Sequence, residues 1–383
     1  MTQDLALYIH WPFCESKCPY CDFNSHVADT VDQDRWRKAL LAEMAHYARE
    51  TSGRALTSIF FGGGTPSLMP PNTAAALIDA AAGHWRTADD IEITLEANPS
   101  SAERERFAAY HDAGVGRLSL GVQSLDDQTL TFLGRRHDAA QARDAMAAAR
   151  EIFPRVSFDF IYARPGQTEA AWRDELTEVL GLAADHLSIY QLTIEPGTPF
   201  FRDAVPAADE DAGVALFEAT QDMLAGAGLP AYEISNHARP GYESRHNLTY
   251  WRGGDYVGIG PGAHGRLTGE DGFTATHQIH TPARWLDEAE INGHGTGKRR
   301  TLSARERAEE MLMTGLRLSE GLDVARMEMH TGVALADLVD ANRLAQVLAG
   351  RFLVKSAGHL IPTAAGLLRL NAVLASILVP DSA

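Results

Sequence analysis

Six short apolar segments that alternate with helical patterns constrain the fold of this chain more than any other feature of its sequence. The segments span residues 5–10, 56–61, 91–96, 117–121, 156–161 and 186–192. They are apolar along nearly their whole length, which is typical of parallel strands covered on both faces. Apolar residues recur at helical spacing between them, as in Trp36, Leu40, Met44 and Tyr47 and in Trp172, Leu176, Val179 and Ala183. Six such units predict a parallel α/β sheet, either doubly wound or curved into most of a (β/α) barrel.

Residues suited to chemistry follow five successive segments of this predicted sheet. The three cysteines follow the first segment, glycines 62–64 follow the second, and Glu96 and Asn98 close the third. Gln123 follows the fourth segment, and Asp159 lies late in the fifth. Because the carboxyl ends of parallel strands meet at one edge, these residues are expected to lie together there. This pattern favours a ligand-binding or catalytic role over a purely structural one.

The second half of the chain has a different pattern. Residues 195–300 are rich in Gly, Pro, His and Tyr, with one helical stretch at 209–226, and predict an irregular segment that covers the barrel mouth. Helical patterns return at 305–318, 323–331 and 335–348, followed by a strand pair at 352–354 and 360–362 with Gly358 in its turn. We therefore predict three domains, at 1–194, 195–300 and 301–383, the last small, mainly α and winged-helix-like.

Charge and hydropathy bear on partners and location. The chain has 51 acidic against 34 basic side chains, a net charge of −17, and its basic runs are as short as Lys298–Arg299–Arg300. Nucleic acids and anionic membranes bind clustered cations, so neither is an expected partner. The N-terminal residues lack the basic lead of a signal peptide, and no run of about 18 apolar residues occurs. We expect a cytoplasmic protein without an integral membrane segment.

All three cysteines lie within eight residues, in the pattern Cys14-x3-Cys18-x2-Cys21. An odd, tightly grouped set without a secretion signal argues against a disulfide framework and for thiolates bound to metal. Three thiolates can each bind one iron of a cubane cluster and leave the fourth iron open to a substrate amine and carboxylate. Zinc bound by the cysteines and His10 or His26 is the alternative. The polar residues at the neighbouring strand ends favour the cluster.

The loop Cys14-Glu-Ser-Lys-Cys18-Pro-Tyr20-Cys21 resembles the signature of the radical S-adenosylmethionine (SAM) superfamily, in its spacing and in the aromatic residue before the third cysteine. This resemblance implies a partial (β/α)6 barrel, a [4Fe–4S] cluster and SAM at the open iron. It also implies an electron donor, since a reduced cluster cleaves SAM to methionine and a 5′-deoxyadenosyl radical.

Further motifs are interpreted through the same resemblance. Glycines 62–64, followed by Thr65 and Pro66, would on their own fit a tight turn, and the strand-end carboxylates would fit caps or buried ion pairs. Beside the cysteine loop, the glycine run resembles the element that binds the methionyl ammonium. The remaining positions match family residues for the ribose hydroxyls, the methionyl carboxylate and the adenosyl group. The candidate SAM residues are Tyr8, Tyr20, Gly63, Gly64, Thr65, Glu96, Gln123, Arg135 and Asp159.

The stretch His246-Asn247-Leu248-Thr249-Tyr250-Trp251 groups an imidazole with two aromatic rings. An isolated histidine is more often a surface or core residue than a ligand. Histidine is nevertheless a common axial ligand of haem, and flat aromatic rings suit a porphyrin face. The stretch resembles the HNxxYW element associated with haem binding in the HemW branch of the HemW/HemN group, which implies haem bound through His246.

Three features favour the HemW branch over the oxidase HemN. Phe23 stands where the oxidase has a further cysteine, only 13 residues precede Cys14, and the HNxxYW element is present. The branch implies a haem chaperone that passes haem to acceptor proteins, with the cluster and SAM acting structurally or in release. A homodimer is also compatible with the sequence. The alternatives are an oxygen-independent coproporphyrinogen III oxidase and a radical enzyme on an unrelated substrate. One departure is Ala163-Arg164, where the family usually has Gly-Leu.

Overall fold

The computed structural model describes residues 4–182 and 185–379, and Ala183 of the second helical pattern lies outside them. The strands are β1 (Asp4–Trp11), β2 (Phe13–Cys14), β3 (His26–Val27), β4 (Ala55–Gly63), β5 (Arg86–Ala97), β6 (Arg117–Gln123), β7 (Arg155–Tyr162), β8 (His186–Gln191), β9 (Asn236–Ala238), β10 (Tyr256–Ile259), β11 (His264–Gly269), β12 (Gly272–Gln278), β13 (Thr296–Leu302), β14 (Leu322–Asp323), β15 (Leu353–Ser356) and β16 (His359–Pro362).

The helices are α1 (Gln33–Glu50), α2 (Pro71–His84), α3 (Ser101–Arg104), α4 (Phe107–Asp112), α5 (Asp127–Phe132), α6 (Ala139–Ile152), α7 (Glu169–Leu182), α8 (Pro199–Arg202), α9 (Glu210–Gly226), α10 (Arg245–Trp251), α11 (Pro282–Asn292), α12 (Ala304–Gly315), α13 (Val324–Thr331), α14 (Leu335–Leu338), α15 (Ala341–Ala349), α16 (Ala364–Leu367) and α17 (Leu370–Ile377). None of the helices in the described ranges is long and apolar enough to cross a membrane.

The six predicted strands form the parallel centre of one large sheet, in the order β1-β4-β5-β6-β7-β8. This order follows the chain without the reversal of a doubly wound sheet, so the barrel alternative is confirmed. Side chains from all six strands and from β10 line a single interior cavity, as expected of a sheet that curves around it. The predicted α/β fold with a partial barrel is thus confirmed.

Strand β1 shows how the sequence builds this wall. Leu5, Leu7 and Ile9 are fully buried in the core between the sheet and the helices, together with Trp36 and Leu40 of α1. Tyr8 and His10 alternate with them and line the inner cavity instead. Burying each of these aliphatic side chains contributes about 1.5–3 kcal/mol. The apolar set therefore fixes which polar side chains face inward.

The prediction that residues 195–300 are irregular is wrong. They supply β9 to β13, which extend the sheet at both edges to eleven strands. β10 pairs in parallel with β1, and β11 to β13 follow as an antiparallel meander. Glycines concealed these strands: an added Cβ would lie 2.0 Å from His264 O at Gly258 and 2.5 Å from Thr276 Oγ1 at Gly265. Close approach of neighbouring backbones requires glycine here, and glycine weakens the strand pattern.

Part of the 195–300 segment lies at the amino ends of the barrel strands, whereas the prediction placed the segment over the mouth, at their carboxyl ends. Arg117 Nη2 donates to Tyr242 O at 2.9 Å, and Arg155 Nη1 donates to Gly241 O at 3.1 Å. Arg117 and Arg155 begin strands β6 and β7, so residues 239–251 lie across the amino ends of the strands. We call residues 239–251 the floor segment. The expectation that this part of the chain covers the barrel mouth is therefore wrong.

The C-terminal part has its own core and its own sheet, β14-β16-β15. Its helices and the β15–β16 pair, with Gly358 in the turn, confirm the predicted small, mainly α domain. The predicted helix at 335–348 is divided into α14 and α15, because Asp340 caps a new helix by accepting from Arg343 N. The domain boundary proposed at residue 300 lies within β13.

Candidate functional site

The cysteine loop follows β1 at the carboxyl edge of the sheet, and each of its sulfurs has a polar neighbour. Thr65 Oγ1 donates to Cys14 Sγ at 3.4 Å, and Arg135 Nη1 donates to Cys18 Sγ at 3.4 Å. Cys21 Sγ lies 3.7 Å from Ser25 Oγ. Burial raises the pKa of the Cys14 and Cys21 thiols. A bound cation that deprotonates these thiols would offset this effect, which fits a role as metal ligands.

The histidines considered for zinc have other partners. His10 Nδ1 is 3.1 Å from Tyr8 OH and its Nε2 is 2.9 Å from Asn24 O, so both ring nitrogens are occupied. His26 Nε2 is 2.8 Å from Asn24 Oδ1. Within the described ranges, no three His, Cys, Asp or Glu side chains converge as a single metal ion requires. Thiolates that bind three different irons of a cluster have no need to converge on one point.

The glycine run at the end of β4 forms a side-chain-free wall beside the cysteine loop. Gly63 has φ +117°, and a Cβ there would lie 2.6 Å from His10 Cε1. A Cβ on Gly64 would lie 2.7 Å from Phe13 O. The run therefore requires glycine for two reasons, its backbone conformation and its close approach to neighbouring atoms. The run lets the backbone of Gly63 and Gly64 line the mouth cavity directly.

Two carboxyl groups face the interior without a cation in direct contact. Burial, and secondarily Asp159, raises the pKa of Glu96 to about 8, although Gly63 N donates to Glu96 Oε2 at 3.1 Å. Burial raises the pKa of Asp159 to about 6, against the hydrogen bond that it accepts from Ser119 Oγ at 3.1 Å. Strongly perturbed carboxyls in a cavity are typical of a binding site for hydroxyl or cationic groups.

Arg135 and Gln123 complete the wall opposite the glycines. Arg135 Nη2 donates to Asn98 Oδ1 at 2.5 Å and to Gly121 O at 2.9 Å, which fixes the guanidinium beside Cys18. Gln123 has φ +71° and follows an irregularity in the β6–β7 pairing. Such left-handed backbone at a residue other than glycine costs about 1–3 kcal/mol and clusters at functional sites. The bulge turns the Gln123 side chain toward the mouth.

Two adjoining cavities occupy the barrel. The mouth cavity, about 360 Å³, brings together all but two of the predicted site residues, namely Cys14, Cys18, Cys21, Tyr20, Gly63, Gly64, Thr65, Glu96, Gln123, Arg135 and Asp159. The inner cavity, about 600 Å³, lies deeper and contains the other two, Tyr8 and His246. Glu96 and Asp159 line both cavities, so the two compartments meet at these carboxyls.

His246 lies in the first turn of α10, within the floor segment. Its Nδ1 is 3.0 Å from Ser58 Oγ, and its ring stacks on Phe60 with centroids 5.0 Å apart. Burial lowers the pKa of His246 to about 3, which keeps the imidazole neutral. Its Nε2 has no hydrogen-bond partner among the residues that the structure describes. Trp251 lies outside the cavity under Arg317, so only part of the motif faces inward.

Sequence reasoning did not identify several residues of the inner cavity. These are Arg117, Ser119, Ser157, His186, Tyr190, His264, His277 and His280. Most sit at inward positions of strands whose outward neighbours are apolar, so alternation within each strand was the available signal. For His264 and His277 this signal was hidden, because β11 and β12 were not predicted as strands.

Comparison with known proteins identifies the family. A sequence model of the radical SAM superfamily matches residues 8–179, and one of the HemN C-terminal domain matches 302–369. The heme chaperone HemW of Escherichia coli is 38% identical over 373 residues, which cover 97% of both chains. This chain belongs to the HemW family. The mitochondrial radical S-adenosyl methionine domain-containing protein 1 of Bos taurus is also similar to this chain, 44% identical over 84% of this chain and 75% of that protein.

The crystal structure of E. coli coproporphyrinogen III oxidase HemN superposes with a TM-score of 0.83 over 98% of this chain and 90% of that one. At 21% identity, this likeness shows a shared fold. Membership of the radical SAM superfamily implies a [4Fe–4S] cluster and SAM as the cofactors of a HemW protein.

Proposed function

We propose that this chain is a haem chaperone. It holds a [4Fe–4S] cluster on Cys14, Cys18 and Cys21 with SAM at the open iron, binds haem, and passes it to acceptor proteins. The observation that carries the proposal is that the interior of the barrel contains two different sets of candidate ligands, one at each end. Three thiols and two perturbed carboxyls lie at the mouth, and a neutral, oriented imidazole lies at the floor.

The SAM site is assigned to the mouth cavity. Gly63, Gly64 and Thr65 lie beside the cysteine loop and receive the methionyl ammonium, and Arg135 receives the carboxylate. Glu96, with its raised pKa, binds the ribose hydroxyls. The adenosyl group is assigned to Gln123 and Asp159. Tyr20 lies with them in the mouth cavity, whereas Tyr8 lies on the inner side of the boundary formed by Glu96 and Asp159. When bound, the cluster supplies one electron for reductive cleavage of SAM.

The haem site is assigned to the inner cavity. A neutral imidazole is the form that binds iron. When Nε2 is the nitrogen that binds iron, Nδ1 carries the proton and donates to Ser58 Oγ, which orients the ring, as is usual for ligating histidines. Tyr8, Phe60 and Tyr250 surround this ring and offer flat aromatic faces. A cavity of about 600 Å³ is within the usual size of small-molecule and cofactor sites.

The proposed partners are haem acceptor proteins, an electron donor and a second copy of the chain, and they include no nucleic acid. The cytoplasm is the proposed compartment for this chain, whereas the name of the bovine relative places that protein in mitochondria.

The deciding experiment compares two activities of anaerobically reconstituted protein. Ferric haem is titrated while the Soret band is followed, and coproporphyrinogen III is incubated with SAM and a reductant, with E. coli HemN as positive control. We expect saturable haem binding and no protoporphyrinogen. Turnover to protoporphyrinogen would replace the proposal with an oxidase. Absence of haem binding would leave a radical enzyme on another substrate.

His246→Ala tests the ligand assignment. We expect haem at the inner site to bind at least about tenfold more weakly, because a lost iron ligand is worth 1.4 kcal/mol or more, while the iron and sulfide content stays unchanged. His111→Ala on the outer helix α4 is the matched control, since His111 lines neither cavity. Unchanged haem affinity in His246→Ala would remove this residue from the site.

A further inference from the structure

A row of three basic side chains crosses the edge strands β11, β12 and β13 beside the inner cavity. His264 is paired with His277 and His277 with Lys298, so the three side chains share one face of the sheet. The rings of His264 and His277 stack with centroids 4.1 Å apart and planes at 17°. His280 follows just after β12, and all three histidines line the inner cavity. None of these residues belongs to the HNxxYW motif.

The inner cavity reaches the surface at this row. His264 and His280 are exposed to solvent although they also line the cavity. We call the gap between His264, His277 and His280 the side opening. In the described part of the chain, the ring nitrogens of these histidines have no hydrogen-bond partner. Lys298, also exposed, has no ion-pair partner there, whereas Arg299 and Arg300 of the same strand pair with Glu50 and Glu306.

The chemistry of the side opening favours a metalloporphyrin. The stacked His264–His277 pair presents ring nitrogens without hydrogen-bond partners in the described part of the chain, and such nitrogens are able to bind metal. No three donors converge here as a free metal ion would require. Haem iron takes four of its ligands from the porphyrin and needs only one or two imidazoles from the protein. Lys298 stands beside the pair as an unpaired cation suited to a carboxylate arm of the ring.

We propose that the side opening is a second haem site, in which the His264–His277 pair supplies an axial imidazole and Lys298 binds a propionate. This inference rests on the proposed haem binding and adds the route: haem enters and leaves the inner cavity through the edge strands. Cys14, Cys18 and Cys21 line the mouth cavity and not the inner one, so haem exchange by this route does not require SAM or the cluster to leave.

A titration of anaerobically reconstituted full-length protein with ferric haem tests the second site. We expect two equivalents bound by the wild type, one by His264→Ala/His277→Ala and one by His246→Ala. The double variant also transfers its haem to apomyoglobin at least tenfold more slowly. Two equivalents and wild-type transfer in the double variant would overturn the second site. A wild type that binds no haem would overturn the proposed function. If the double variant loses one equivalent of haem but His246→Ala loses none, the side opening would remain a haem site and His246 would not be a haem ligand.

Lys298→Ala provides a test that does not disturb the packing, because Lys298 is exposed. We expect haem at the side opening to bind roughly two- to fivefold more weakly, which is the usual range for an exposed ion pair. Haem dimethyl ester should bind to the variant and to the wild type with equal affinity. Lys355→Ala on β15 is the control. Equal loss for haem and for the ester, or no loss for either, would contradict the propionate contact.

Discussion

Each cysteine sulfur has a different polar neighbour, which allows the three positions to be tested one at a time. We expect Cys14→Ser, Cys18→Ser and Cys21→Ser each to lose most iron and acid-labile sulfide, because a hydroxyl is a poor ligand for a cubane iron. Iron and sulfide are measured after anaerobic reconstitution. Ser16→Ala, within the same loop, should retain wild-type iron. Normal iron content in any of the cysteine variants would contradict the assignment of that residue.

The Glu96 carboxyl makes stability depend on pH. Its pKa is raised to about 8 in the folded state from 4.5, so its contribution to stability is complete below pH 4.5 and is lost as the pH rises toward 8. Glu96→Gln cannot ionise, so the SAM-free variant should become the more stable protein as the pH rises. The whole shift corresponds to roughly 5 kcal/mol for a fully buried group, and solvent screening of the partly exposed Glu96 side chain lowers the expected effect to about 2 kcal/mol.

Thermal melting of SAM-free wild type and Glu96→Gln between pH 5 and pH 8 measures this effect. The difference in Tm should grow with pH in favour of the variant. The exposed residue Glu218 offers the control, since Glu218→Gln should give a constant difference over this range. A constant difference in Glu96→Gln as well would show that the carboxyl ionises freely in the folded protein.

Among the elements, local periodicity determined which could be predicted. The strands β1 and β4 to β8 each bury apolar side chains against the helices, and the alternation of these strands with helices predicted the barrel and the candidate binding residues at its carboxyl edge. The bulge before Gln123 could not be predicted, because sequence patterns do not register a positive φ at a residue other than glycine. β10 and β11 carry glycines where backbones touch, and α10 reaches the floor through a return of the chain that has no local signal.

The loop after β7 contains the one departure from the family pattern and supports Gln123 from behind. Ala163 adopts φ +57°, a conformation that suits the glycine usual in the family. Arg164 Nη2 donates to Glu175 Oε2 at 2.5 Å, and Glu175 Oε1 accepts from Ser124 Oγ at 2.5 Å. Because Ser124 follows Gln123 directly, this buried ion pair fixes the backbone of the bulge.

Arg164→Leu, which restores the usual family residue, should destabilise the protein by about 3 kcal/mol, since it leaves the Glu175 charge buried without its partner. It should also weaken SAM binding by loosening Gln123. Chemical unfolding and SAM titration measure the two effects. Arg173→Ala removes an exposed pair with Glu169 on the same helix and should cost less than about 0.5 kcal/mol. Equal costs for both variants would contradict a positioning role for Arg164.

Across the whole molecule, the two proposed ligands occupy opposite ends of one barrel, and different parts of the chain hold each end. The mouth is built by the ends of β1 and β4 to β7 with their loops. The floor segment is clamped from above by the buried pair of Arg117 and Glu92, since Glu92 Oε1 accepts from Arg245 N at 2.8 Å. The C-terminal domain contacts the floor from below, where Arg317 lies over the Trp251 ring at 5.3 Å. The C-terminal domain and the floor segment therefore hold His246 in place together.

Arg307 of α12 is a buried contact between the C-terminal domain and the chain next to the floor segment. Its Nη2 donates to Gly253 O at 2.7 Å, just past the end of the floor segment, and its side chain is buried. Arg307→Leu should loosen α10 by about 1.4 kcal/mol or more, so the amides of residues 248–254 should exchange hydrogen at least about tenfold faster. The amides of Cys21 and His26, at the mouth, should exchange as in wild type. Arg343→Ala, exposed on α15, is the control. Faster hydrogen exchange at Cys21 and His26 as well would mean that the mouth and the floor of the barrel are not supported by separate parts of the chain. Release of haem at the floor would then be coupled to binding of the cluster at the mouth.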